Sequence, residues 1–209
     1  VNRFKVADGT ALKTDDLSPL SVVHLSGKFR TVSGEKLWAT DDGDYVRHRD
    51  VTVANKREAL PEFATGDQKW IDISIISGTA TFYEGKKPIF VTLVSAGRDR
   101  FGDPKQSAST QLGVHTIVAK SITSNESGTK PFAEEYDLRD VPWVMELSSG
   151  QMIHGAYWHS RFGIEHGLGN LQLSPPDASF LFRWSDLQVP SGWHSYRLDA
   201  DQGKKTLVL

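Results

Sequence analysis

The sequence predicts a mostly β chain in two parts, a small all-β module over residues 1–66 and a larger domain over 69–209 with one main helix. Three observations carry this. Short apolar or alternating runs recur between clusters of Gly, Asp, Asn and Pro, the pattern of strands punctuated by turns. Two stretches of the first 53 residues resemble each other. A single segment carries a full set of helix-start signals.

The strand candidates are WIDISI (70–75), TATFYEG (79–85), PIFVTLVS (88–95), VHTIVAK (114–120), PWVMEL (142–147) and KTLVL (205–209). EGKKP joins the second and third, and its Gly and Pro suit a hairpin turn. The helix is SPPDASFLFRWSDL (174–187), with Ser174 as N-cap, Pro175 at the first helical position and Asp177 facing the positive end of the helix dipole. Ala178, Leu181, Phe182 and Ser185 share a face. GRDRFGDPKQSAST (97–110) and SITSNESGTKPFAEE (121–135) read as long polar loops, a length that is uncommon without a role.

RFKVADGTALKTDDLSPL (3–20) aligns with KLWATDDGDYVRHRDVTV (36–53), pairing Phe4 with Trp38, Gly9 with Gly43, Leu12 with Val46 and Asp16 with Asp50. Each reads as strand, Asp-Gly turn, strand. Both a true duplication and two hairpins sharing one turn chemistry fit this pattern. LPEFATGDQK (60–69), with Pro, Gly and charge, marks the boundary.

Composition narrows the function classes. Lys plus Arg number 24 against 26 Asp plus Glu, a formal charge of −2, so no general basic field attracts nucleic acid or anionic lipid. No run reaches the roughly 18–20 apolar residues of a membrane helix. The opening VNRFKVADG lacks the basic-then-apolar layout of an export signal. There is no cysteine, hence no disulfide and no thiolate chemistry.

The informative stretch is MIHGAYWHSRFGIEHGLGNLQLSPPDASFLFRW (152–184). It resembles the L,D-transpeptidase (YkuD-type) catalytic domain. In that family a strand ends in His-Gly, followed by an aromatic stretch and Phe-Gly. A Ser-His-Gly-Cys-apolar-Asn motif comes next, and then a helix opening on Pro and Asp-Ala. IHGAYWHSRFG matches the first half and LSPPDASFLF the last, with no gap between. The segment 70–99 resembles the family's opening hairpin and next strand. TQLGVHTIVAK matches its Thr-Pro-x-Gly, with Gln111 in place of Pro, and FAEEYDLRDVPWVMEL matches the strand leading to His-Gly. The resemblance spans about residues 69–209. It implies a β-sandwich-like fold, a peptidoglycan substrate or partner, and a bacterial periplasm or envelope location, the signal itself not being present in this chain.

The departures fall at the reaction centre. Laid on without gaps, the family's Ser is Gly167, its base His is Leu168, its nucleophilic Cys is Asn170 and its Asn is Gln172. A rival alignment on His166-Gly167 puts Leu168 at the Cys. Neither supplies a thiol. A carboxamide is no comparable nucleophile, and leucine moves no protons. The resemblance therefore implies no catalytic residues, only degenerate positions Gly167, Leu168 and Asn170 beside a retained His154. A ligand groove is expected over His154, Tyr157, Trp158, Phe162, His166 and Asn170.

His154, His159 and His166 match no zinc spacing and lack a carboxylate cluster, so neither metal nor cofactor is expected. Ser160 and Ser174 are not at the nucleophile position, and no G-x-S-x-G elbow occurs. The leading expectation is a non-catalytic L,D-transpeptidase-like protein that binds stem peptides or an envelope partner. An enzyme with a displaced mechanism on His154 or His166, and a pure scaffold, are the alternatives.

Overall fold

The computed structural model describes residues 1–130, 133–198 and 203–209. The chain divides into two compact units, Val1–Val53 and Ala54–Leu209.

The first unit is an antiparallel sheet of β1 (Asn2–Ala7), β2 (Thr10–Asp16), β3 (Leu25–Val32), β4 (Glu35–Thr40) and β5 (Tyr45–Arg47), in the order β2-β1-β5-β4-β3. Its small core is Phe4, Val32 and Leu37. The two similar stretches both form hairpins, but their side chains are not equivalent. Phe4 is buried, while its aligned partner Trp38 is half-exposed on the other face and the neighbouring Leu37 fills the core. Trp38 packs edge-on to Phe29, and the Lys36 ammonium lies 4.0 Å above its ring.

The second unit contains β6 (Lys69–Ser74), β7 (Thr79–Glu84), β8 (Lys87–Leu93), β9 (His115–Lys130), β10 (Ala133–Leu147), β11 (Met152–Gly155), β12 (Leu171–Leu173), helix α1 (Pro175–Trp184), β13 (Ser195–Arg197) and β14 (Leu207–Val208). The sheet order is β12-β11-β10-β9-β14-β6-β7-β8, with β13 added beside β9. Ser95, just past β8, pairs with Gln172 of β12 through two backbone hydrogen bonds of 2.9 Å, so the ends of the sheet meet. None of the described helices is long and apolar enough to cross a membrane.

Each of the strand candidates lies on a strand. The stretch 121–135, expected to be a loop, instead extends β9 and β10 into a long hairpin; residues 131 and 132 lie outside the described residues. Its Thr, Ser and Asn content suggested a loop, but Ile122, Thr123 and Tyr136 suit a two-stranded ribbon whose faces are not both buried. The stretch 97–110 does lie outside the named strands.

Helix α1 starts as its residues dictate. The Ser174 hydroxyl accepts the Asp177 N–H at 3.3 Å and donates to Asp177 Oδ2 at 2.6 Å; such a cap is worth about 1 kcal/mol. The helix stops at Trp184 because Ser185 is extended (ψ 154°), three residues earlier than its sequence suggests. Ala178, Leu181 and Phe182 bury against a core containing Ile71, Phe82, Met145, Ile153 and Leu171. A second cluster joins Ala64 to Trp70 and Tyr83, whose rings stack at 4.1 Å, with Leu60 and Phe63 packed on it. The tight turn at Gly85 belongs to this cluster. A Cβ there would lie 2.2 Å from the Gly66 carbonyl oxygen, and its own carbonyl accepts the Trp70 indole N–H at 2.7 Å.

The β9–β10 ladder has a register shift between Glu146 and Leu147. It breaks the alternation of β9, so that Ile117 and Lys120, three residues apart, are both buried (1% exposed each). The Lys120 ammonium donates to the carbonyls of Phe182 (2.6 Å) and Ser185 (3.2 Å), a cation at the negative end of α1.

Candidate functional site

Strand pairing determines which side chains share a face. In an antiparallel sheet directly paired residues point the same way, and residues two apart on one strand do also. Met152 pairs with Glu146, Glu146 with Ala119, and Ala119 with Arg197. One row therefore crosses β11, β10, β9 and β13. His154, two residues on from Met152, is in register with Gln172. His154, Gln172, Met152, Glu146 and Arg197 thus occupy one face of the sheet, and Met145, Ile153 and Lys120 the other, under α1.

At the site's centre most of the polar side chains are already engaged, His166 Nδ1 excepted. Asn170 Oδ1 accepts the Met152 backbone N–H at 3.1 Å. His154 is 2% exposed, and its Nδ1 lies 3.3 Å from the Gly155 carbonyl, which requires the proton on Nδ1. Burial, with repulsion from His159 added, lowers its pKa to about 4, so the ring is neutral at ordinary pH and a weak base.

His159 is held at both nitrogens. The Arg161 backbone N–H donates to Nδ1 at 3.2 Å, which leaves the proton on Nε2 to donate to Gln172 Oε1 at 2.7 Å. Its ring stacks on His166 at a centroid distance of 4.2 Å. Burial and the neighbouring His159 lower the His166 pKa, hydrogen bonding with Gln172 partly opposing them. His166 Nδ1 is buried and has no protein partner. Among the described residues no group of three His, Asp or Glu side chains is arranged to hold a metal.

Of the four positions aligned with the family motif, Gly167 and Gln172 fit each other. A Cβ on Gly167 (φ +93°) would lie 2.5 Å from Gln172 Nε2, so the longer Gln172 side chain fills the space that a residue larger than glycine would need. The Gly169 carbonyl accepts the Thr110 hydroxyl at 2.9 Å, and that hydroxyl accepts the Gly97 N–H at 2.9 Å. Leu168 is half-buried.

The expected groove residues divide into two sets. Trp158 lies 5.5 Å from the His154 ring and edge-on to Tyr157, whose hydroxyl donates to the Arg139 carbonyl at 2.5 Å. Phe162 packs against His159 at 4.8 Å. Tyr157 and Trp158 thus lie beside His154, while Phe162 and His166 pack around His159, and Gln172 joins the two sets. Gln172, Thr110 and Gln151 were not among the expected groove residues. Only alignment to the family motif draws attention to the first two. Gln151, which accepts the Gln111 N–H at 2.7 Å, carries no sequence signal.

Fold and site together define a β domain with a His-Gly strand end and a helix capped behind it. The L,D-transpeptidase catalytic domain (YkuD) model matches residues 68–193, more than half the chain, and the chain belongs to that family. Among solved structures, it is similar to an L,D-transpeptidase from Mycobacterium smegmatis (16% identity, 92% of this chain and 100% of that one, TM-score 0.51). An L,D-transpeptidase of Enterococcus faecium also matches (18% identity, 68% of this chain, 50% of that one, TM-score 0.49), so the chain spans half that protein's length. The catalytic domain of an E. faecium L,D-transpeptidase, solved by NMR, matches at 18% identity over 69% of this chain and 98% of that one (TM-score 0.49). A search of curated proteins finds no match.

Proposed function

We propose that the chain is a non-catalytic L,D-transpeptidase-like protein of the bacterial envelope or periplasm, which binds peptidoglycan stem peptides over the face bearing His154. The observation that carries this is Asn170. It stands where the family motif has its nucleophile, and its side-chain oxygen is occupied by the Met152 N–H. His154 is neutral and a poor base, Leu168 replaces the base of the motif, and the chain has no thiol. Asn170, His159 and Gln172 are hydrogen-bonded within the centre, which favours a preformed surface over a reacting one. Tyr157 (54% exposed) and Trp158 offer aromatic faces beside it for a peptide.

The test is isothermal titration with a stem tetrapeptide, together with pull-down on intact sacculi. Binding is expected at about 10 μM to 1 mM, since no covalent step assists and the groove must be desolvated. Trp158→Ala should weaken it. Incubation with tetrapeptide muropeptides should give no product. Turnover near 1 s⁻¹, an ordinary enzymatic rate, would overturn the reading, as would absence of binding in both assays.

A further inference from the structure

Met152 and His154 on β11 face Asn170 and Gln172 at β12. His154 and Gln172 are in register, and the Met152 N–H reaches Asn170 Oδ1 at 3.1 Å. Neighbouring strands lie about 4.8 Å apart, and residues two apart on a strand share a face at about 6.6 Å. Asn170 and His154 are therefore opposite corners of a small rectangle, about 8 Å apart along its diagonal.

The hydrogen bonds at these corners leave two groups over. Gln172 is engaged: its Oε1 accepts the His159 N–H at 2.7 Å, and its side chain also bonds His166. Asn170 gives its oxygen to the Met152 N–H, so its Nδ2 keeps two N–H donors without an acceptor among the described residues. His154 carries its proton on Nδ1, directed at the Gly155 carbonyl. Its Nε2 is thus a lone-pair acceptor, without a donor among the described residues. Neither atom is sealed, because the one sealed and unpartnered side-chain atom at this centre is His166 Nδ1. His154 is 2% exposed, and the part of it that reaches the surface includes this unused acceptor. A side chain so buried, with one hydrogen-bonding position left open, is placed to meet a ligand.

Charge decides what kind of ligand. The groups that act on the His154 ring are the Gly155 carbonyl and His159, and no lysine or arginine is among them. A carboxylate offers only lone pairs. One would suit an Asn170 N–H, but the other would face the His154 lone pair with no cation to offset it. A neutral amide satisfies both corners, its carbonyl accepting from Asn170 and its N–H donating to His154. Two hydrogen bonds of about 2.9 Å with the amide between them suit side chains converging from corners about 8 Å apart. Trp158, 5.5 Å from the His154 ring and edge-on to Tyr157, supplies an apolar wall for the rest of the ligand.

We propose that this centre is a neutral-amide site, which takes a carboxamide or N-alkyl amide of a peptide in preference to a carboxylate, with Asn170 Nδ2 on the carbonyl oxygen and His154 Nε2 on the N–H. It rests on the reading above in that this face holds a ligand, and it adds which chemical group the centre selects.

The probes are propionamide, N-methylpropionamide, N,N-dimethylpropionamide and propionate, titrated at pH 7 into the full chain and followed by NMR. The first two should shift the His154 ring and Asn170 side-chain signals with a Kd of about millimolar. They should bind at least tenfold tighter than propionate. The dimethylamide, which keeps the carbonyl and lacks the N–H, should be at least fivefold weaker than the methylamide. Asn170→Asp keeps an oxygen for the Met152 N–H and removes the donor, and should weaken propionamide tenfold or more. His154→Phe should erase the difference between methylamide and dimethylamide. Propionate binding as tightly as propionamide, dimethylamide as tightly as methylamide, no shift with any probe, or indifference to Asn170→Asp in a protein whose spectrum shows it folded, each overturns the proposal. Stem-peptide binding that is lost in Trp158→Ala, without any preference for amides, would leave the groove reading standing and remove this one. Amide selection without binding to stem peptide or sacculi would do the reverse.

Discussion

The Gln172 side chain occupies the space beside Gly167: its Nε2 lies 2.5 Å from where a Cβ on that glycine would be. The two positions are thus interdependent. Gly167→Ser alone is expected to destabilise by about 1–3 kcal/mol through overlap and strain at a positive φ. Adding Gln172→Asn should recover part of this in a thermal melt.

The same dependence governs any attempt to restore chemistry. Asn170→Cys alone should give a thiol near the unperturbed pKa of about 8.5, without an orienting base. It should acylate slowly with a carbapenem, as read by intact-protein mass spectrometry. The fourfold variant Gly167→Ser, Leu168→His, Asn170→Cys, Gln172→Asn should acylate faster. Rapid acylation of the single variant would mean that His154 or His166 already acts as a base.

His154 should titrate near pH 4 by NMR. Its folded pKa is below the unfolded value of about 6.5, so below that value the unfolded chain binds more protons. The neutral ring's contribution is present above pH 6.5 and is lost as pH falls towards 4, with a magnitude of order 3 kcal/mol. His154→Gln should flatten that part of the stability–pH curve.

Lys120 gives the opposite end of the curve. Burial lowers its pKa to about 7, with Asp186 opposing and Lys69 adding. Between that value and the unfolded one the unfolded chain binds more protons, so the contribution to stability rises with pH from about 7 towards 10.5. Lys120→Met should lack this rise. At pH 7 it leaves the Phe182 and Ser185 carbonyls without their donor, a cost of about 1–3 kcal/mol.

For the second unit, residues 54–209 should fold as a fragment, and residues 69–209 should melt lower. Removing 54–68 uncovers Trp70 and Tyr83, which Ala64 and Phe63 cover, and removes the Arg57–Asp72 ion pair (2.8 Å). Equal melting of the two fragments would show that this cluster contributes nothing.

Much of this was legible in the residues. The strands after residue 69 and the cap of α1 follow from alternation and from Ser-Pro-Pro-Asp, because those signals are local. The long hairpin was not legible, since a ribbon with exposed polar faces has the composition of a loop. Lys120 was hidden by a register shift that reverses the facing of one residue, and such a shift depends on the partner strand. At the centre the motif located Gly167, Leu168, Asn170 and Gln172. It could not show that Gln172 fills the space beside Gly167, or that Asn170 and Gln172 are hydrogen-bonded to Met152 and His159, because these contacts join separate elements.

The meeting of Ser95 with Gln172 has a consequence for what this site can lose. A sheet whose two end strands bond to each other at this point has fewer unpaired backbone groups there to recruit a strand from another molecule. Gln172 is thus a joint of the architecture as well as a lining residue. Positions 167–170 can exchange their chemistry while the joint holds, whereas a proline at 172 would remove a seam hydrogen bond and open a sticky edge. Self-association on heating, rather than a change in ligand binding, is the failure to expect from damage there.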